Sequence, residues 1–185
     1  MNICTICGSF RKESWNRIVL NALPSVVPAE FKVKEAPPYD KFPHYNQDDQ
    51  KANGFPDVVK AWADAIRAAD GVIIVTPEYN FSVPGPLKNA IDWVSRMPGK
   101  EQPFLGKPCA ILTASNGPVG GSRVQYELRK ILASIEAVVM PKPEVFVTLV
   151  TQKIDAEKGT LTDATTLDFM KKQMEAFKAF IQRLS

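Results

Sequence analysis

Three short segments carry residue types that could hold a flat, anionic ligand. In the first, Ser9-Phe10-Arg11-Lys12-Glu13-Ser14-Trp15-Asn16, hydroxyls, a guanidinium and a carboxamide stand directly before and within the first turn of a predicted helix. The free N–H groups and positive end of such a helix suit a phosphate, and Ser9, Arg11, Ser14 and Asn16 would add donors to it. The same residues also read as an ordinary helix start, with Ser14 as N-cap and Arg11 solvated, and spacing leaves both readings open. The second segment, Thr76-Pro77-Glu78-Tyr79-Asn80-Phe81-Ser82-Val83, joins an apolar strand to a helix. The third, Ser115-Asn116-Gly117-Pro118-Val119-Gly120-Gly121, has three glycines in five positions ahead of another helix. Backbone N–H groups there could approach a ligand closely because no side chain blocks them, although simple turn chemistry also accounts for the glycines. Neither G-x-G-x-x-G nor G-x-x-x-x-G-K occurs, so the dinucleotide fingerprint and the Walker loop are both missing.

Thiol and metal chemistry have little material. Cys4 and Cys7 form a C-x-x-C, but inside a predicted strand, where a spacing of three puts the side chains on opposite faces. A redox C-x-x-C would instead follow its strand and open a helix. Both cysteines, and Cys109 at the start of another strand, are expected to be buried small apolar side chains. An odd count of three also argues against a disulfide framework. One histidine, His44 in a polar loop, supports neither a His-based metal site nor a Ser-His triad.

Strands and helices alternate along the 185 residues, a length that fits one domain, 1–185. The first strand spans about Asn2–Gly8, and a helix from about Ser14 shows Trp15, Ile18, Val19 and Ala22 on one face. Phe31–Glu35 alternates as an edge strand, and a long loop, Ala36–Gly54, follows. A helix over about Pro56–Ala69 aligns Val58, Trp62, Ala65, Ile66 and Ala69. Gly71–Thr76 and Pro108–Ala114 are all-apolar strands of the kind covered on both faces. Between them a helix from about Pro84 turns Leu87, Ala90, Ile91 and Val94 inward. A helix over about Ser122–Ala137 presents Val124, Leu128, Ile131, Leu132 and Ile135, and a fifth strand within Val138–Leu149 is broken by Pro141 and Pro143. The last helix, about Asp163–Leu184, carries Leu167, Met170, Met174, Phe177 and Ile181. This alternation implies an α/β fold, a doubly wound five-stranded parallel sheet with helices on both faces. The flavodoxin-like order 2-1-3-4-5 places a ligand at the strand carboxyl ends, where all three candidate segments fall.

Composition narrows the class further. Apolar residues make up 45% and charged residues 23%, with a net charge of +3 spread along the chain. No basic run with interleaved aromatics supports nucleic-acid binding, and no apolar run approaches the roughly 20 residues of a membrane span. The first strand begins at once with no basic segment before it, so the expected location is the cytoplasm.

The run Thr76-Pro77-Glu78-Tyr79-Asn80-Phe81-Ser82-Val83-Pro84-Gly85-Pro86-Leu87-Lys88-Asn89-Ala90-Ile91-Asp92-Trp93 resembles the signature of the NADPH-dependent FMN reductase family. The likeness extends to Gly8–Asn16 and to Gly120-Gly121-Ser122-Arg123, in the same order, and the bacterial quinone and chromate reductase branch is the most similar. Pro86 departs from the usual small residue, which the first turn of a helix tolerates. The resemblance implies FMN as cofactor and NADPH or NADH as co-substrate. Arg11, Ser14 and Asn16, with neighbouring backbone amides, would hold the phosphate, with Ser9 and Trp15 also binding the cofactor; Pro77, Glu78, Tyr79 and Asn80 would line the ribityl chain and ring, and Ser115, Asn116, Gly117 and Gly120 would border the pyrimidine end.

Such an enzyme needs no catalytic side chain, because the flavin carries the chemistry. N–H donors from Gly117 to Gly121 and the adjoining helix would stabilise charge at the pyrimidine edge, and Glu78 and Tyr79 are expected to be structural or flavin-lining. The expected reaction is ping-pong hydride transfer to quinones and other small acceptors such as chromate or ferric iron. Alternatives are a flavin reductase supplying a monooxygenase, or a flavodoxin-type electron carrier. Trp93, Arg123 and Tyr126 lie off the core stripes of their helices, and Phe81 and Val83 sit just before the Trp93 helix, suggesting contact with a second subunit or the substrate. The resemblance implies a homodimer or homotetramer.

Overall fold

In the computed structural model, which describes residues 1–184, an unbroken run of buried residues from Ile3 to Cys7 makes the first strand a strand of the sheet interior. The sheet strands are β1 (Asn2–Cys7), β2 (Lys32–Glu35), β3 (Gly71–Thr76), β4 (Pro108–Ala114), β5 (Val138–Val139) and β6 (Val145–Val147). All pair in parallel in the order β2-β1-β3-β4-β5, with β6 also on β4, as expected for a flavodoxin-like sheet.

Every residue of β3 and β4 is buried, because helices cover both faces. The helices are α1 (Trp15–Ala22), α2 (Gln47–Asn53), α3 (Asp57–Arg67), α4 (Gly85–Val94), α5 (Ser122–Ser134) and α6 (Ala164–Leu184). One face packs against α3, α4 and α5, the other against α1 and α6. Cys4 belongs to the first core and Cys7 to the second, as their spacing within a strand requires.

The fifth strand is split in two. β5 lies beside Pro108 and Cys109, and β6 beside Leu112 to Ala114. Pro141 and Pro143 between them have no N–H to donate to a ladder. Side chains hold the carbonyls of this detour instead: Arg129 donates to Met140 O at 2.8 Å, Gln173 to Pro143 O at 3.0 Å and Gln125 to Val145 O at 2.8 Å.

Several helix faces differ from their sequence reading. In α1 the buried residues are Asn16, Val19 and Leu20, while Trp15, Ile18 and Ala22 pack at the core edge. In α3 the stripe is Val59, Trp62, Ala63 and Ile66, and Val58 is exposed. Adjacent valines fit the same periodicity, and the sheet decides between them. The expected loop 36–54 contains α2, a helix with no buried residue, started by an Asn46 cap on Asp48 N at 2.9 Å. A short hairpin, β7 (Ile154–Asp155) with β8 (Thr160–Leu161), was not legible in the sequence.

Trp93 corrects an expectation. It is 2% exposed, its indole N–H donates to Pro43 O at 2.8 Å, and Tyr45 packs edge-on against it with centroids 5.1 Å apart. The partner it was expected to find on another molecule is the chain's own segment 43–45. Val83 is likewise buried. Phe81, Arg123 and Tyr126 are exposed.

Candidate functional site

The carboxyl ends of β1, β3 and β4 meet without a side chain between the first two. A Cβ on Gly8 would lie 2.1 Å from Thr76 Oγ1 and 2.9 Å from Thr76 Cα, so only glycine allows this approach. Beyond it opens a cleft of about 130 Å³. Ser9, Arg11, Ser14, Trp15 and Asn16 line it from the first segment, Pro77, Glu78 and Tyr79 from the second, and Ser115 from the third. Ala114 also lines it and went unnoticed in the sequence, although its place at the end of β4 just before Ser115 was a usable signal. Asn80, Asn116, Gly117 and Gly120 do not line this cleft and sit in its bordering loops.

Three hydroxyls share one arrangement. Ser9 Oγ accepts from Arg11 N at 3.3 Å, Ser14 Oγ from Arg17 N at 3.4 Å as the α1 N-cap, and Ser115 Oγ from Gly117 N at 3.2 Å. Each oxygen takes a backbone donor and retains its own O–H for a ligand. The two readings of Ser14, cap and ligand donor, are therefore compatible. Arg11 sits over the Trp15 ring, 5.1 Å from its centroid, with no carboxylate in ion-pair reach among the described residues. Its charge stands beside the open N-terminus of α1, where an anion is favoured.

Asn16 lines the cleft and uses one amide hydrogen and its oxygen on the backbone of Ala114, leaving its second N–H available. Its amide donates to Ala114 O at 3.0 Å and its oxygen accepts from Ala114 N at 2.9 Å, which fastens the first turn of α1 to the end of β4.

The second segment is a tight turn. Tyr79 and Ser82 exchange backbone hydrogen bonds at 3.1 and 3.0 Å, and Asn80 and Phe81 between them have φ of 50° and 67°. Asparagine tolerates this left-handed region; a bulky phenylalanine does so at a cost. The turn holds Phe81 out in solvent, where the Arg123 guanidinium lies 4.2 Å from its ring centroid.

Glu78 joins the second segment to the third. Its carboxylate accepts from Val124 N at 3.1 Å and lies 3.5 Å from Arg123. Two donors expected to face the ligand are thereby occupied: the Val124 amide by Glu78 and the Gly117 amide by Ser115. Gly120 and Gly121 have φ of 60° and 79°, and a Cβ on Gly120 would press on Phe146 at 2.9 Å. Asn116 accepts from Thr151 Oγ1 at 2.5 Å, which ties this loop to the segment after β6.

The thiols stay neutral. Burial pushes Cys4 up to about 11 and raises Cys7 and Cys109 as well. The donor set therefore suits a phosphorylated planar cofactor: hydroxyl hydrogens, a guanidinium with no carboxylate partner among the described residues and a helix N-terminus at one end, Tyr79 and the bordering glycine loop at the other. FMN fits it.

The family model for NADPH-dependent FMN reductase matches residues 1–152. A quinone reductase of Escherichia coli strain K12 is 48% identical over 184 residues, covering 100% of this chain and 97% of that protein. An NAD(P)H-dependent FMN reductase of Pseudomonas aeruginosa is 40% identical over 184 residues, with the same coverage of 100% and 97%. Among solved structures, FerB, a flavoenzyme NAD(P)H:(acceptor) oxidoreductase from Paracoccus denitrificans, superposes with a TM-score of 0.87 at 32% identity, covering 98% of this chain and 97% of that one. With the cleft's donors and these likenesses in agreement, the chain belongs to the NADPH-dependent FMN reductase family.

Proposed function

We propose that the protein is a quinone reductase that passes electrons from NADPH or NADH through bound FMN to a small acceptor. The observation that carries this reading is the single cleft in which Ser9, Ser14 and Arg11 converge on the N-terminus of α1. FMN held there supplies the two-electron chemistry between nucleotide and acceptor. The chain's residues bind and orient it. Ser9, Ser14 and Arg11 take the phosphate, Trp15 backs the guanidinium, and Asn16 holds α1 in place. Pro77, Tyr79 and Asn80 border the ribityl chain and ring, Glu78 holds the turn against α5, and Ser115, Asn116, Gly117 and Gly120 frame the pyrimidine end.

No second nucleotide motif occurs in the chain, so nucleotide and acceptor share one open face of the flavin and must alternate there. That is a ping-pong cycle. Chromate and ferric iron are further acceptors under this reading. The exposed Phe81, Tyr126 and Arg123 flank the site and supply an association surface for a homodimer or homotetramer. No helix among the described residues is long and apolar enough to cross a membrane.

The test is NADPH turnover across quinone, ferric, chromate and free-flavin acceptors. The reading expects quinones to give the highest kcat/KM. Free FMN as the preferred acceptor would make the protein a flavin reductase, and no turnover with retained FMN would make it an electron carrier.

A further inference from the structure

The edge strand β2 stops before β1 does. Thr5 O accepts from Ala36 N at 2.9 Å, the rung at the end of β2. Carbonyls of alternate residues in a strand face the same neighbour, so Cys7 O faces the place where β2 would continue. The residue due at that rung is Pro38, which has no N–H to donate. The Tyr39 hydroxyl supplies the missing bond, donating to Cys7 O at 2.7 Å. Burial raises the pKa of the Tyr39 phenol, so the hydroxyl keeps its proton and remains a donor.

The same side chain grips the chain a second time. Its ring lies against Phe10 with centroids 4.7 Å apart, and Trp62 and Phe42 back it at 5.8 and 6.2 Å. Phe10 is half-exposed, and Tyr39 is the ring it rests on. Between the two grips lie Gly8 and Ser9, and Arg11 follows at once. Ser9 lines the cleft and its Oγ accepts from Arg11 N at 3.3 Å, so the two residues are placed together. Tyr39 is buried and does not line the cleft.

We propose that Tyr39 is a positioning residue for the cofactor phosphate, fixing Ser9 and Arg11 from outside the cleft. The assignment rests on FMN occupying that cleft. Both grips fall on the first segment and its approach, not on the loops that border the ring. Their loss therefore falls on the phosphorylated flavin and spares riboflavin, which lacks the phosphate.

Fluorescence titration of the full-length, flavin-free protein with FMN and with riboflavin tests it. Tyr39→Phe keeps the ring and removes the hydroxyl. FMN should then bind about three- to tenfold weaker, the equivalent of one lost hydrogen bond, and riboflavin within about twofold of its original affinity. In an Arg11→Ala background the same change should cost FMN less than in the wild-type chain, because one of the donors it positions is gone. Equal losses for FMN and riboflavin would reduce Tyr39 to a core packing residue, and unchanged FMN affinity would remove it from the site; either overturns the assignment. If Tyr39→Phe fails to fold, Phe10→Ala on the surface removes the second grip and is judged by the same selective loss. Wild-type protein that binds riboflavin as tightly as FMN would instead overturn the phosphate reading of the cleft, and the assignment with it.

Discussion

The Glu78 carboxylate caps α5 from a different loop, accepting a hydrogen bond from Val124 N at 3.1 Å. The N-cap position itself is Gly121, which has no side chain to do so. One carboxylate thus replaces the missing cap and clamps the tyrosine turn to the glycine loop.

Glu78→Ala should lower stability by about 0.5–2 kcal/mol, the usual range for a lost cap, and weaken FMN binding by loosening two walls of the cleft. Glu78→Gln, which keeps an acceptor oxygen, should recover most of both and retain kcat. Urea unfolding, FMN titration and quinone turnover check this. A kcat collapse in a Glu78→Gln protein with full FMN content would make Glu78 catalytic instead.

Arg11 has no carboxylate partner among the described residues, so its charge is available to phosphate. Arg11→Ala should weaken FMN by roughly 10- to 150-fold, equivalent to about 1.5–3 kcal/mol, and leave the unfolding midpoint of the apoprotein unchanged. Unaltered FMN affinity would return Arg11 to the role of a solvated loop residue.

Two glycines should behave differently. Gly8→Ala brings a Cβ to 2.9 Å from backbone at Thr76, so β1 and β3 must part at the site; a loss of about 1–3 kcal/mol and weaker FMN binding are expected. Gly85→Ala meets nothing within 4 Å beyond its chain neighbours, and crowding of the helical residue by Pro86 offsets the entropy gained, so stability should change by less than about 1 kcal/mol. Denaturant unfolding of the pair checks both.

The buried thiols set an alkaline limit. Cys4 is raised from 9.0 to about 11 by burial, and Cys7 and Cys109 are raised as well. Above the unfolded value of 9.0 the unfolded chain loses thiol protons that the folded protein keeps, so stability falls as pH rises from there through about 11. Replacing all three cysteines with Ala should flatten that decline and preserve most of kcat. An equal alkaline decline in the variant would assign it to other groups.

Local apolar patterning was enough to define β3 and β4, whose bounds match the expectation because both faces are buried. It failed where the deciding partner is distant in sequence. Asn16 also fastens α1 to the end of β4 through Ala114, 98 residues later, a second role that its place in the first segment does not reveal. Glu78 acquires its role from Val124, 46 residues on. Trp93 appeared to need a partner molecule because nothing in segment 43–45 signals that it folds back onto α4. The helix α2 has no apolar face and so no periodicity to find. Within the cleft, the residue types were legible and the hydrogen-bond partners were not.

In the proposed cycle one bound flavin relays electrons between two substrates that never meet. Anaerobic stopped-flow tests it directly: the FMN-loaded protein is mixed with NADPH, freed of nucleotide, and then mixed with a benzoquinone. NADPH should bleach the flavin absorbance, and quinone alone should restore it at a rate sufficient for steady-state turnover. Flavin that NADPH cannot bleach, or bleached flavin that quinone reoxidises only when nucleotide is present, would contradict it.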